Sequence, residues 1–150
     1  MRGDQGFTLI EIVCALAILA LVAAFAVPMY PRGTTPARLS GYALDIAAIL
    51  KHDRNAAVSG GAPVATSFDA GKRVVRSGAS GARHDLHADV GFDALLAQRC
   101  GDRAVGSTID FFPSGVSCGG VVSITRGGVG YEIRVNWLTG GVEIVAIGKT

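Results

Sequence analysis

Gly6-Phe7-Thr8-Leu9-Ile10-Glu11 opens an apolar run that continues through Ile12-Val13-Cys14-Ala15-Leu16 to Val27, and the fold turns on how that run is read. From Phe7 to Val27 the only charge is Glu11, and the other polar groups are Thr8 and Cys14. As one helix the stretch is about 30 Å long, which matches the hydrocarbon core of a bilayer. A secretory signal peptide is the first alternative, but its apolar stretch is shorter and ends at a small-x-small cleavage site. Here the run ends in Pro28-Met29-Tyr30-Pro31 and carries a carboxylate near its start. An ordinary uncleaved anchor is the second alternative. It gives no reason for Glu11, because a lone charge inside a membrane costs about 2.5–3.5 kcal/mol. The carboxylate needs a compensating partner.

Met1-Arg2-Gly3-Asp4-Gln5-Gly6 followed by Phe7-Thr8-Leu9-Ile10-Glu11 resembles the leader and processing motif of type IV pilins and type II secretion pseudopilins. The resemblance implies that a membrane-embedded prepilin peptidase cuts between Gly6 and Phe7 on the cytoplasmic side, and that Phe7 becomes N-methylphenylalanine. Glu11 is then an assembly carboxylate near the mature N-terminus. The electrostatics agree with that assignment. Cleavage creates an α-amine at Phe7, at the depth of the first helical turn, and Glu11 of the same or a neighbouring subunit pairs with it more cheaply than it stands alone. Such pairing favours lateral addition of subunits and sets their register. Orientation, with the C-terminal domain outside, rests on the resemblance. Arg2 and the initiator amine outweigh Asp4 at one end, but Arg32 and Arg38 lie just beyond the other.

Beyond the run, Pro28, Pro31 and Pro36 interrupt the helix, since proline removes a backbone donor and clashes with the preceding turn. Pro28 stands where the resembling family bends or locally melts. Helical periodicity then resumes with Leu39, Ala43, Ile46, Ile49 and Leu50, while Arg38, Asp45, Lys51, Asp53 and Arg54 are assigned to the opposite side. Gly60-Gly61 ends this second helix, which reads as a surface helix packed on a sheet. From Ala62 the period becomes two. Val64–Phe68, Thr108–Phe112, Val121–Thr125, Tyr131–Val135 and Val142–Val145 read as strands, and the last three form an antiparallel meander through Gly127-Gly128 and Thr139-Gly140-Gly141. Phe92–Arg99 suits either a short helix or a strand. Lys72–Ala88 reads as a mobile loop or weak edge strands.

The chain's 150 residues allow one modest domain plus an anchor. With 49% apolar and 17% charged residues it is greasy for a soluble protein, and a net charge of +2 gives no argument for a nucleic-acid or anionic-lipid partner. Most of the 21 glycines follow Ser59, which fits a turn-rich β region. Three cysteines divide by position: Cys14 lies in the apolar run, while Cys100 and Cys118 lie in the polar half, where an oxidising compartment joins them. A loop of about 18 residues closed by that bond contributes roughly 3 kcal/mol in the chain-entropy account. Three unrelated thiols remain the alternative.

Ile109-Asp110-Phe111-Phe112-Pro113-Ser114-Gly115, then Gly119-Gly120, Ile133-Arg134-Val135 and Thr139-Gly140-Gly141-Val142 resemble the domain shared by minor pseudopilin H of type II secretion and the FimT/FimU minor pilins, a GspH/FimT-like family. The match is patchy from Ala62 to Ser107. One departure is Gly141, because the family's turn usually carries a basic residue after Thr-Gly.

Other constellations are weaker. On a strand Asp85, His87 and Asp89 share a face while His84 points away, but without a further Cys/His cluster a solvated loop is the better reading than a metal site. Lys72, Arg73, Arg76 and Arg83 form a basic loop without interleaved aromatics, so nucleic acid is not an expected partner. No phosphate loop or nucleophile elbow is present, and no enzyme activity or cofactor is expected.

The expected fold is therefore α+β and type IV pilin-like, with a long N-terminal transmembrane helix, an amphipathic continuation and a C-terminal antiparallel β domain. Its divisions are a leader at 1–6, a membrane and fibre-core helix at 7–27, a continuation at 28–61 and a periplasmic β domain at 62–150. The resemblance implies a minor pseudopilin near the tip of a short periplasmic fibre, held in the bacterial inner membrane. A type IV minor pilin, for pilus assembly or DNA uptake, is the rival. The implied partners are the prepilin peptidase, other major and minor pseudopilins, the inner-membrane assembly platform, and secreted substrates or the outer-membrane secretin.

Overall fold

The computed structural model describes residues 8–26 and 33–148, so Gly6, Phe7, Pro28 and Pro31 lie outside the described residues. The chain divides into two units at Arg32/Gly33. In the first, α1 spans Leu9–Ala26. Thr8 and Glu11 start it as a capping box: Glu11 Oε2 accepts from the Thr8 backbone N–H at 3.1 Å and from its hydroxyl at 3.0 Å, while the Glu11 N–H reaches Thr8 Oγ1 at 3.4 Å. Every described α1 side chain is exposed, with Leu9 at 86%, so the helix has an apolar surface on all sides and no face of its own to bury. Among the described residues no helix is long and apolar enough to cross a membrane. The 18 residues of α1 rise about 27 Å against a hydrocarbon core of about 30 Å.

The second unit begins with α2, Pro36–Gly60. Pro36 does not interrupt a helix, as the sequence reading had it, but starts one. It occupies the first turn, where its missing N–H has no partner to lose, and the Thr35 hydroxyl caps the helix by accepting from Arg38 N–H at 3.2 Å. Gly61 closes it at φ 64°, a left-handed geometry that glycine adopts without cost. The buried stripe is Leu39, Ala43, Ile46, Ala47, Leu50, Asp53 and Ala57. Asp53 lies on the core side and not on the solvent side expected from the sequence, because it is three residues from Leu50 and four from Ala57.

Two four-stranded antiparallel sheets follow. One has the order β3 (Arg83–Asp85), β2 (Val74–Arg76), β1 (Val64–Asp69), β7 (Thr108–Phe111), and the other β10 (Val142–Gly148), β9 (Val129–Val135), β8 (Gly120–Arg126), β4 (Gly91–Leu96). A separate two-stranded piece pairs β5 (Arg99–Cys100) with β6 (Arg103–Ala104). Alternating side chains from both sheets, among them Phe68, Val75, Ile109, Phe111, Val122, Ile124 and Ile133, meet the α2 stripe in one core. Arg126 pairs with Val129, which leaves Gly127 and Gly128 as a two-residue hairpin turn with φ of 59° and 85°. Lys72–Ala88 holds two short strands joined and flanked by turns, β3 at the sheet edge and β2 inside it between β3 and β1, with Val75 fully buried. Of Phe92–Arg99, Phe92–Leu96 lies in β4, paired to β8 from Gly91↔Thr125 to Leu96↔Gly120, and Arg99 opens β5.

Candidate functional site

The first functional element is α1 itself. Among its described residues Glu11 is the one acidic or basic side chain on an otherwise greasy rod, already half-committed to the Thr8 cap. A carboxylate in a capping box keeps acceptor capacity, so it can bind a cation without giving up the helix start. Cys14 on the same helix is a free, exposed thiol.

In the β unit the candidates separate rather than converge. His84 turns toward α2, edge-on to Tyr42 with ring centroids 5.7 Å apart and its Nε2 3.8 Å from Asp45. Asp85 is taken by Arg83 at 2.5–2.9 Å, and that ion pair holds its carboxyl below the usual range. Asp89 lies in an exposed turn, as expected, but its carboxylate is engaged rather than free. It accepts from the Thr34 hydroxyl at 2.6 Å and the Thr34 N–H at 2.8 Å, lies 2.7 Å from His87 Nδ1, and pairs with Arg126 Nε at 2.8 Å. The Thr34 hydrogen bonds, then His87 and Arg126, drive its pKa far down. Arg126 also donates to the Thr34 carbonyl, so β8 clasps the segment from which α2 starts. Among the described residues no group of His, Cys, Asp and Glu is arranged to hold a metal.

Three of the four basic residues, Lys72, Arg73 and Arg83, take structural partners. Lys72 pairs with Asp69 at 3.2 Å, and Lys72's backbone N–H with its ammonium keeps the Asp69 carboxyl low. Arg73 donates to the Val90 carbonyl at 3.1 Å, and Arg83 serves Asp85. At the Thr139-Gly140-Gly141 turn, Arg54 of α2 donates to the Thr139 carbonyl at 3.1 and 2.9 Å, so a cation from another element meets the turn that lacks one of its own.

Sequence reasoning missed Asp53. Fully buried, it accepts from Thr66 Oγ1 at 2.7 Å, Ser77 Oγ at 2.5 Å, Gly78 N–H at 2.9 Å and Ala79 N–H at 3.2 Å. One carboxylate therefore ties α2 to β1 and to the β2–β3 turn. Its place on the apolar stripe was the available signal.

Cys100 and Cys118 are joined by a disulfide with Cα atoms 5.5 Å apart. Cys118 also lines a shallow cleft of about 560 Å³ with Leu95, Leu96, Gly120 and Trp137, at the end of the sheet that carries β4. Leu95 and Trp137 are 76% and 65% exposed.

Comparison with known proteins gives a consistent picture. Residues 1–27 match the prokaryotic N-terminal methylation motif. The chain is 30% identical over 143 residues to the type II secretion system protein H of Xanthomonas campestris pv. campestris, covering 95% of this chain and 83% of that one. Its fold is similar to the minor pseudopilin EpsH of the Vibrio cholerae type 2 secretion system, with a TM-score of 0.58 at 13% identity over 72% of this chain and 96% of that chain. It is also similar to the type IV minor pilin FimU of Pseudomonas aeruginosa, with a TM-score of 0.54 at 19% identity over 71% and 87% of the two chains. Both likenesses carry the α+β pilin-like fold, and at these identities they carry the fold alone.

Proposed function

This chain belongs to the type II secretion system protein H family, the minor pseudopilins, and we propose that it acts at or near the tip of a short envelope fibre that serves protein secretion. The observation that carries this reading is the relationship to protein H across 95% of the chain, which includes the β domain as well as the N-terminal motif. The family is one of structural subunits, and the site chemistry above fits assembly better than turnover.

In this reading the prepilin peptidase removes Met1–Gly6 and methylates Phe7. The new α-amine pairs with Glu11, and α1, apolar on all sides, passes from the inner membrane into the fibre core among the helices of other major and minor pseudopilins on the assembly platform. The N-terminus faces the cytoplasm and the β domain the periplasm, where it meets neighbouring minor subunits, secreted substrates or the outer-membrane secretin. Support comes from the all-round exposure of α1, which leaves lipid or other helices as its packing partners.

The FimU likeness favours a second reading as a type IV minor pilin, for pilus assembly or DNA uptake. A clean deletion strain separates the two. Loss of exoprotein secretion with normal twitching motility and DNA uptake is the expected outcome; normal secretion with lost twitching or DNA uptake would replace the proposal with the second reading.

A further inference from the structure

The β5–β6 hairpin is attached to the domain in an unusual way. Of its residues, Arg99, Gly101, Asp102, Arg103 and Ala104 are exposed, and none from Gln98 to Ser107 belongs to the hydrophobic core. It is closed on itself by Arg99↔Ala104 and Cys100↔Arg103 pairing and by Val105 N–H to the Gln98 carbonyl at 2.9 Å, and a two-stranded hairpin of this size is marginal alone. At its far end the Ser107 carbonyl accepts from Phe68 N–H at 2.8 Å, and among the described residues two side-chain links tie the hairpin itself down: the bond to Cys118, and Arg103 Nη2 to Asp110 Oδ2 at 3.3 Å.

Both links lead to the same place. Cys118 sits in the crossover from β7 to β8, between the two sheets, with its N–H on the Asp110 carbonyl at 3.0 Å. Asp110 is only 5% exposed. Its carboxylate has the Thr108 hydroxyl at 2.7 Å and Arg103 as its cation. A nearly buried carboxylate depends strongly on its counterion, and this counterion is carried by a hairpin that no apolar burial holds in position.

We propose that the Cys100–Cys118 disulfide is a redox-sensitive strap: closed, it holds the β5–β6 hairpin so that Arg103 neutralises Asp110, and opened, it frees the hairpin while the core of both sheets stands. Both cysteines are half-buried, within reach of a small thiol or an oxidoreductase. Closure is thiol–disulfide exchange with an oxidised dithiol oxidoreductase. One cysteine thiolate attacks the oxidant's disulfide to form a mixed disulfide and release one oxidant thiolate. The other cysteine's thiolate attacks the protein sulfur of that mixed disulfide and expels the second, so the oxidant leaves as a dithiol carrying both electrons. Of the two bonded cysteines, Cys118 lines the cleft with Trp137, so the strap is anchored at that surface.

The test uses the full chain in detergent micelles with Cys14→Ser, so that only this pair responds. Hydrogen exchange is compared before and after dithiothreitol, and in the Cys100→Ser, Cys118→Ser variant without reductant. Amides from 98 to 107 are expected to exchange about tenfold faster or more when the bond is open, with α2 and β8–β10 unchanged. Arg103→Met is expected to lower the denaturation midpoint of the oxidised protein, read from Trp137 fluorescence, and to leave the reduced protein unmoved. Unchanged protection of the hairpin on reduction overturns the strap. So does loss of protection across both sheets, which marks a global staple, and so does an Arg103→Met effect of equal size in both redox states.

Discussion

Asp53 shows how much one buried side chain can organise. Its four donors come from β1 and the β2–β3 turn, so the carboxylate is the joint between α2 and the strands that cover it. Asp53→Ala leaves two hydroxyls and two backbone N–H groups without an acceptor, and the expected loss is about 3 kcal/mol or more by chemical denaturation. Asp53→Asn keeps the shape but replaces an acceptor oxygen with a donor, and it is expected to cost less than Ala. A near-neutral Asp53→Ala would mean the network contributes nothing net. Asp89 acts through pH instead. Its folded pKa is depressed below the ordinary 3.8 by Thr34, His87 and Arg126, so its contribution is fully present above that value and is lost as pH falls through the folded pKa. Asp69 and Asp85 are depressed too and act in the same direction. These three carboxylates are therefore expected to withdraw stability as pH falls below about 4. Asp89→Asn is expected to be less stable at neutral pH and to lose part of that slope; an identical slope in the variant would remove Asp89 from the acid response.

Among the elements, α1 is the one the proposal assigns to assembly, and the capping box sharpens the test of Glu11. Glu11→Val removes the charge and the cap together, whereas Glu11→Gln keeps an acceptor for Thr8 and removes only the charge. Both variants are expected to insert and be processed normally and to crosslink poorly into fibres. If Glu11→Gln co-assembles as well as the wild type, the cap and not the ion pair is what assembly uses. The strands show where local signals run out. Val142–Val145, Tyr131–Val135 and Val121–Thr125 alternate cleanly and stand next to glycine turns, so they were legible in order and in pairing. Phe92–Arg99 was ambiguous because its strand identity comes from the β8 edge, a partner distant in sequence. The Lys72–Ala88 region looked loop-like because its strands are only three residues long, below what a periodicity can register.

For the molecule as a whole, the processing motif makes a direct prediction. Membrane-extracted protein is expected to have the mass of the chain from Phe7 onward plus one methyl group, and Gly6→Val is expected to block the cut. Full-length chain recovered from cells with an active prepilin peptidase would contradict it. The amino-acid sequence alone determined the class of protein: an apolar run with one carboxylate in its first turn, behind a glycine and a phenylalanine, is a local chemical signature that needs no partner to be read. It determined the α2 stripe and the glycine-turned meander for the same reason, since periods of 3.6 and 2 are written in neighbouring residues. Only the tertiary structure decided what the polar side chains do. Asp53, Asp89 and Asp110 look alike as letters in a string. One joins α2 to a sheet, one clasps Thr34 with the help of Arg126, and one relies on a hairpin held by Cys100 and Cys118. Those roles depend on donors up to 55 residues away along the chain, and the free energy of a polar group is set by which of those donors the fold brings within about 3 Å.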